Sequence, residues 1–154
     1  FNLLMQQQPV ARDLRVISAA MKMVTDMERI GDHAADISEM TVMMASEPYV
    51  VDLSDIKKMA SETVLMLIRS IEAYVEKDML KAQSVIDHDD IVDELFNKVK
   101  QELIEMIRKN PAVSEQAADM LMVAKYFERI GDHATNIAEL IIFALDDKKN
   151  TMQN

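Results

Sequence analysis

Three pairs of acidic residues are spaced so that both side chains of a pair would lie on the same face of a helix. The pairs are Glu28 and Asp32, Asp89 and Asp93, and Glu128 and Asp132. Residues four apart in an α-helix are neighbours on its surface. Carboxylates crowded in this way repel one another unless a cation binds, and oxygen ligands suit Mg²⁺, Mn²⁺, Ca²⁺ and iron. Each pair is therefore a candidate set of metal ligands, and the simpler alternative is a solvent-facing helix surface.

A repeat distinguishes two of these pairs from ordinary surface acids. The sequence E-R-I-G-D-H-A occupies residues 28–34 and recurs without change at residues 128–134. A solvated helix face does not require identical residues in both copies. The repeat therefore favours metal binding over simple solvation for the acids that it contains.

The helical wheel of the second copy places its acids beside the apolar face rather than opposite it. Glu128 and Asp132 share one side, and Asn136 and Glu139 extend it as further possible ligands. The pair on the preceding helix flanks a stripe of apolar residues that includes Val92. If the two helices pack together, four carboxylates would meet, from Asp89, Asp93, Glu128 and Asp132.

The other residues of the repeat have structural roles in this interpretation. The two glycines of the chain, Gly31 and Gly131, occupy the same motif position. A glycine within a helix costs about 1 kcal/mol relative to alanine, so we expect a neighbouring helix to approach closely there. We expect Arg129 to form an ion pair beside the acids. His33 and His133 are expected at exposed or core-edge positions rather than as ligands, because they point away from the acidic side.

The composition and the apolar spacing predict an all-α protein. The chain of 154 residues has 2 Gly, 3 Pro and 14 Met, which is too few turn-forming residues for many strands. Apolar residues recur at steps of three and four. Four helices are predicted: Pro9 to Ala45, Asp52 or Ser54 to a cap at Asp78, a third helix that ends at Asn110-Pro111, and Ser114 to about Leu145.

Short connections predict that the last three helices form an antiparallel bundle. The repeat makes the first helix the counterpart of the last, so the chain contains one complete three-helix repeat and part of another. We assign residues 1–47 to the partial first repeat, 52–146 to the complete second repeat and 147–154 to a polar tail. The chain begins with Phe1, and we expect it to be part of a longer protein. The apolar stripe of the first helix lacks bundle partners, which predicts a homodimer or a domain swap. This stripe consists of Val16, Ala20, Met23, Met27, Ile30, Ala34 and Ile37.

Composition argues against several classes of function. The chain has 17 Lys+Arg and 27 Asp+Glu, for a net charge of −10, and nucleic acid is therefore an unsuitable partner. There is no cysteine, no apolar run long enough to span a membrane and no nucleotide-binding or triad motif. The Glu-x-x-His spacing of ferritin-like di-iron enzymes is also missing. A metal-dependent enzyme remains an alternative without positive support.

The motifs together resemble the PhoU family. Residues 8–15, Q-P-V-A-R-D-L-R, resemble its Q-P-x-A-x-D-L-R segment. The two E-R-I-G-D copies resemble its two signatures, and residues 89–93, D-D-I-V-D, resemble its D-x-x-V-D segment on the preceding helix. The resemblance covers roughly residues 3 to 145.

This resemblance implies two pseudo-symmetric three-helix bundles with metal clusters on the acidic faces. Iron is the first choice of metal, and zinc, nickel, manganese and magnesium are alternatives. It implies a cytoplasmic, non-enzymatic negative regulator of high-affinity phosphate uptake. The implied partners are subunits of the phosphate ABC transporter and a phosphate-sensing histidine kinase, so that membrane association would occur only through partners. The alternative is a PhoU-like regulatory domain of a sodium–phosphate symporter or a related transporter accessory protein.

The two acidic sites are not expected to be equally complete. The helix that would face Glu28 and Asp32 in the family is missing from this sequence. We therefore predict that the second site is more complete than the first.

Overall fold

Long α-helices make up nearly all of the described chain. A computed structural model describes residues 2–146, with side chains from Val10 onward. Helix α1 spans Asn2–Met44, α2 spans Ser54–Glu76, α3 spans Met79–Lys109 and α4 spans Ser114–Leu145, with a 3₁₀ turn at Pro111–Val113. No strand occurs within residues 2–146. The prediction of an all-α protein is confirmed, whereas the predicted polar tail at 147–154 lies outside the described residues.

The helix ends are set by local hydrogen bonds at the residues that the sequence indicates. Asp78 caps α3, because its side chain accepts a hydrogen bond of 3.0 Å from the Lys81 backbone N–H. The Ser54 N–H at the start of α2 donates to Asp52 Oδ1 at 2.9 Å. The Asn110 side chain caps the 3₁₀ turn that precedes α4.

The predicted helix start at Pro9 is wrong. Helix α1 begins at Asn2 and continues through Pro9. A proline inside a helix removes one backbone hydrogen bond and crowds the preceding turn. The flanking residues, 3–8 and 10–14, are mostly good helix formers, and the helix tolerates this one local loss.

Helices α2, α3 and α4 form an antiparallel three-helix bundle. Lys81 at the start of α3 bonds Glu72 near the end of α2 at 3.1 Å. Lys98 further along α3 reaches Asp55 at the start of α2 at 3.3 Å. The helix α2 residues buried in the core are Ile56, Met59, Thr63, Met66, Ser70 and Ala73.

The helical spacing of α2 predicts an apolar stripe that ends with Ser70, Ile71 and Tyr74, and this prediction is wrong for Ile71 and Tyr74. Ile71 and Tyr74 are exposed, whereas Ser70 is buried as predicted and Ala73 is buried one turn further along. Over the last two turns of α2 the buried face is therefore shifted by one residue toward the N-terminus. The small side chains of Ser70 and Ala73 allow close packing against the core.

Helix α1 packs on α4 and leaves another face uncovered. Its residues Ala19, Met23 and Ile30 are buried, so α4 covers part of the stripe that was predicted to lack a partner, although Val16 and Met27 of that stripe are exposed. A second set of apolar residues follows the 4-3-4-3 spacing of a helix-packing stripe and is exposed: Val10, Leu14, Ile17, Met21 and Val24. Within the described part of the chain, α4 is the helix against which α1 packs.

Candidate metal centre

Three carboxylates converge where α3 passes α4. Asp89 and Asp93 of α3 and Asp132 of α4 each offer an oxygen atom, and these three atoms lie within 4.8 Å of one another. We call these three residues the acidic cluster. The structure thus brings together both acids of the α3 pair and one acid of the repeated motif.

The close approach of the two helices at this point involves Gly131. A methyl group built on Gly131 would lie 3.6 Å from Cγ1 of Val92 and 3.8 Å from Oδ1 of Asp89. These are ordinary contact distances, so the approach is close and still leaves space for a methyl group. The expected helix approach therefore exists at Gly131. Its counterpart Gly31 has no atom within 4 Å of the same built position.

Burial and mutual repulsion make the cluster costly to ionise. Burial is the largest effect on Asp89 and, together with the charges of Asp93 and Asp132, raises its pKa to about 6. Burial first, and then neighbouring carboxylates, also raises the pKa of Asp93 and that of Asp132. Oδ1 of Asp89 is buried, and no group among the described residues donates a hydrogen bond to it. A buried oxygen of this kind is suited to a cation, which would both neutralise the charge and fill the missing contact.

Glu128, the fourth predicted ligand, lies at the edge of the cluster. Its Oε1 accepts a hydrogen bond of 2.5 Å from Nζ of Lys125. That lysine also lies 5.0 Å from the centre of the Phe96 ring. Glu128 is near enough to raise the pKa of Asp93 but is not one of the three converging carboxylates.

The remaining predicted ligands do not join the acidic cluster. Glu28 and Asp32 are exposed on α1, and the described residues place no second acidic helix opposite them. Asn136 is exposed and contacts Asp26 of α1 at 3.4 Å. Glu139 is exposed on the same side of α4 as Asn136 and lines a cavity of about 540 Å³ between α1 and α4. Among the described residues, acids of two helices thus converge at the second copy of the motif and not at the first.

The histidines of the repeat mark a local two-fold axis between α1 and α4. Nδ1 of His133 lies 2.8 Å from Oδ1 of Asp26, and the ring of His33 lies 5.7 Å from that of Tyr126. The two copies of the motif are offset by 100 residues, so Asp26 of α1 corresponds to Tyr126 of α4, and His133 of α4 corresponds to His33 of α1. A two-fold rotation that exchanges α1 and α4 would therefore exchange the two contacts. The two histidine rings stack at 5.6 Å.

This axis gives a structural reason for the identity of the two histidines. His33 and His133 both lie at the core edge, as expected, and their rings also contact each other, which helical spacing alone does not predict. Burial, followed by the charges of His133 and Arg129, lowers the pKa of His33. The identity of both histidines in the two copies was the available signal, since residues on a two-fold axis meet their own counterparts.

The expected ion pair of Arg129 is not present among the described residues. Its guanidinium instead lies 5.9 Å from the centre of the Tyr126 ring. An arginine beside an aromatic face gains a cation–π contact. Positive charge near the acidic cluster comes from Lys125, which opposes the raised pKa of Asp93 and of Asp132, and from His133, which opposes that of Asp132.

The PhoU domain family model matches residues 1–41 and 56–141. The chain belongs to the PhoU family. The matched segments include both E-R-I-G-D copies and the Asp89 to Asp93 segment of α3. None of the helices within residues 2–146 is both long and apolar enough to span a membrane.

Relatives named as phosphate-specific transport system accessory protein PhoU homologs match nearly the whole chain. The Clostridium acetobutylicum protein is 38% identical over 145 residues, which are 94% of this chain and 66% of the relative. The Caulobacter vibrioides protein is 36% identical over 154 residues, 99% of this chain and 67% of the relative. A Burkholderia relative is 34% identical, and the chain covers 62% of its length. The chain thus spans about two thirds of the length of these relatives.

A solved structure confirms the helical architecture. The crystal structure of PhoU from Pseudomonas aeruginosa superposes with a TM-score of 0.85 at 30% sequence identity. The match covers 93% of this chain and 69% of the Pseudomonas chain. PhoU-like helical bundles are therefore the fold of this protein.

Proposed function

We propose that this protein is a PhoU-type accessory regulator that restrains high-affinity phosphate uptake through protein–protein contacts. The observation that carries the proposal is the match, over nearly the whole chain, to relatives named accessory proteins of the phosphate-specific transport system. These names denote accessory proteins rather than transporters, which favours this function over a symporter domain. They also favour a non-enzymatic role.

The proposed partners are subunits of the phosphate ABC transporter and a phosphate-sensing histidine kinase, met on the cytoplasmic side of the membrane. The transporter is favoured by the printed names of the relatives, and the kinase follows from the resemblance of the motifs. The net charge of −10 suits basic surfaces on such partners.

We also propose that Asp89, Asp93 and Asp132 hold a metal ion or cluster. The chemistry of the residues fits a cation, since all three donors are carboxylate oxygens and Oδ1 of Asp89 is buried without a hydrogen-bond partner. Iron is the proposed metal, and zinc, nickel, manganese and magnesium are alternatives. A bound cation would supply positive charge between α3 and α4 and so stabilise their contact.

The domain division remains part of the proposal. Residues 1–47 form the partial first repeat and residues 52–146 form the complete second repeat. The local two-fold axis between α1 and α4 supports this division, because it relates the two copies of the motif. A homodimer is proposed as the state that covers the exposed stripe of α1.

A phosphate-uptake assay tests the regulatory role. The protein would be expressed in a bacterium whose own PhoU-family protein has been deleted, and uptake of radioactive phosphate would be measured in phosphate-rich medium. We expect the protein to lower uptake toward the level of the parent strain. Uptake that stays at the level of the deletion strain, with the protein present at normal abundance, would contradict the proposal.

A further inference from the structure

A cavity lies at the end of the molecule where the connection between α1 and α2 meets the start of α4. Its volume is about 450 Å³, and its walls come from the last residues of α1, the connection, the 3₁₀ turn and the first turns of α4. A volume of this size is within the range of cavities that bind ligands. We call this cavity the end pocket. None of the three residues of the acidic cluster lines it.

The Gln116 side chain fastens the connection between α1 and α2 to α4. Its Oε1 accepts hydrogen bonds from the backbone N–H groups of Val50 at 2.8 Å and Val51 at 3.2 Å. Its Nε2 donates to the backbone carbonyl of Pro48 at 3.1 Å. A wall that is already ordered costs less conformational entropy when a partner binds. The end pocket is therefore a preformed part of the fold.

Apolar side chains are exposed in and beside the end pocket. Met43 and Val50 line it and are 60% and 71% exposed. Their chain neighbours Val42 and Tyr49 are exposed as well. Large apolar side chains that are exposed together mark surfaces that contact other proteins. These residues thus provide an apolar surface for a partner.

The charged residues of the end pocket are all acidic. They are Glu47, Glu115 and Asp119, and no lysine or arginine is among the residues that line the pocket. None of the ion pairs within the described part of the chain involves these three carboxylates. Such a surface is complementary to a segment that carries both positive and apolar side chains. A second copy of this chain, with the same net charge of −10, suits it less well.

We propose that the end pocket binds a basic, partly apolar segment of a partner protein. Lysine or arginine side chains of that segment would lie at the three carboxylates, and its apolar side chains would lie against Met43 and Val50. This inference rests on the proposed function, because it names the surface through which the regulator would contact its partner.

A peptide-binding experiment tests the inference. The probe is a fluorescein-labelled peptide of the sequence leucine-arginine-leucine-arginine-leucine, and fluorescence anisotropy would follow its binding at physiological salt. The control peptide carries citrulline, a neutral analogue of similar shape, in place of both arginines. We expect the arginine peptide to bind at least about tenfold more tightly, because its charge-assisted hydrogen bonds are lost in the citrulline peptide.

Two carboxylates of the end pocket are changed together in the pocket variant, Glu47→Gln/Asp119→Asn. Glu115 is kept, because it lies in the first turn of α4, where a negative charge also stabilises the helix. Two exposed ion pairs with the peptide are lost, so we expect the arginine peptide to bind about fivefold more weakly. Thermal unfolding followed by circular dichroism would show that the variant is folded.

A matched control removes two exposed carboxylates outside the end pocket, in Glu28→Gln/Asp90→Asn. Glu28 lies 16 residues before Met44, which is roughly 24 Å along α1. The control variant has the same net charge as the pocket variant and should bind the arginine peptide as the unaltered protein does. Equal affinity in all three proteins, or no binding by the unaltered protein, would overturn the inference. A pocket variant that changes only the mass in sedimentation would show that the pocket holds a second copy, and the inference would be wrong.

The phosphate-uptake assay separates this inference from the proposed function. We expect the pocket variant, at normal abundance, to lose most of its ability to lower uptake, and the control variant to keep it. If the unaltered protein does not lower uptake but binds the arginine peptide at the pocket, the proposed function is wrong and the binding site stands. If the pocket variant lowers uptake as fully as the unaltered protein, the regulator does not use this pocket and the inference is wrong.

Discussion

Asp89 is the residue whose charge is most strongly affected by the fold. It is partly buried, its Oδ1 has no hydrogen-bond partner, and two further carboxylates lie within 4.8 Å of it. Its pKa is raised from an ordinary value of 3.8 to about 6. The folded metal-free protein therefore holds a proton on Asp89 at pH values where the unfolded chain has released it.

The direction of this pKa shift predicts how stability depends on pH. A raised carboxyl pKa means that stability is greatest below about pH 4 and falls as the pH rises toward about 6. Asp89→Asn removes the charge. It should therefore stabilise the metal-free protein by about 2 kcal/mol at pH 7.5 and have little effect at pH 4.

Urea unfolding in the presence of a chelator would measure this difference. Glu28→Gln, on the exposed face of α1, is the matched control and should show no such pH dependence. The same stabilisation by Asp89→Asn at both pH values would mean that the Asp89 charge is not responsible.

Sequence reasoning identified the residues of the cluster but not their partners. Periodicity places Glu128 and Asp132 on one side of α4, and the fold brings Asp132 to Asp89 and Asp93. Periodicity does not indicate that Glu128 contacts Lys125, because this contact depends on side-chain rotamers and on the position of Phe96 on another helix. Identical residues in the two copies indicate which positions are candidates for a site. The contacts that these residues form are seen only in the structure.

At the scale of the elements, the contact between α3 and α4 determines the geometry of the cluster. Gly131 lies at this contact, with Val92 and Asp89 just within reach of an added methyl group. Gly31 is at the same position of α1 and has no neighbour there. The same motif position is therefore packed against a neighbouring helix at Gly131 and is not packed at Gly31.

A side chain added at Gly31 should raise the free energy of unfolding, whereas a large side chain added at Gly131 should lower it. Gly31→Ala should stabilise α1 by up to about 1 kcal/mol, because helix propensity improves and nothing is displaced. Gly131→Val should destabilise the protein by about 1–3 kcal/mol, because its branches would extend beyond the Cβ contact into Val92 and Met66.

Urea unfolding of both variants would measure these changes, and Gly31→Val is the control for the lower helix propensity of valine. A Gly131→Val protein as stable as Gly31→Val would show that α3 and α4 are not tightly packed at this point.

Helix ends were more predictable than the faces that helices bury. The caps at Asp78 and Asn110 are local and follow from residue type. The run of α1 through Pro9 and the exposure of Ile71 and Tyr74 depend on the surrounding structure. Local hydrogen bonds can be anticipated from sequence. The conformation at Pro9 and the face that α2 buries near its C-terminal end depend on tertiary packing, which overrides the local preference.

At the scale of the whole molecule, the two copies of the motif meet at a local two-fold axis but have different surroundings. The α4 copy packs against α2 and α3, whereas the α1 copy packs on α4 and exposes a stripe that includes Leu14, Ile17 and Met21. An exposed apolar stripe on a long helix favours association. The repeat was visible in the sequence, but this difference depends on which helices are present to pack.

The exposed stripe predicts that this chain forms a homodimer. Sedimentation equilibrium should give a mass of twice 17.5 kDa at micromolar concentration. Leu14→Lys together with Met21→Lys should shift the protein to a monomer, because two charges would have to be buried at the interface. Lys22→Glu lies on the same helix, outside the stripe, and should leave the dimer intact. A monomer at all concentrations would contradict the prediction.

Elemental mass spectrometry would show whether Asp89, Asp93 and Asp132 bind metal. The untagged protein would be compared with an Asp89→Asn/Asp132→Asn variant and with a Glu28→Gln/Asp32→Asn variant of the first motif copy. We predict stoichiometric metal, with iron as the main element, in the unaltered protein and in the first-copy variant, and its loss from the Asp89/Asp132 variant. Absence of metal from the unaltered protein, or its retention after both cluster acids are changed, would contradict the proposed metal centre.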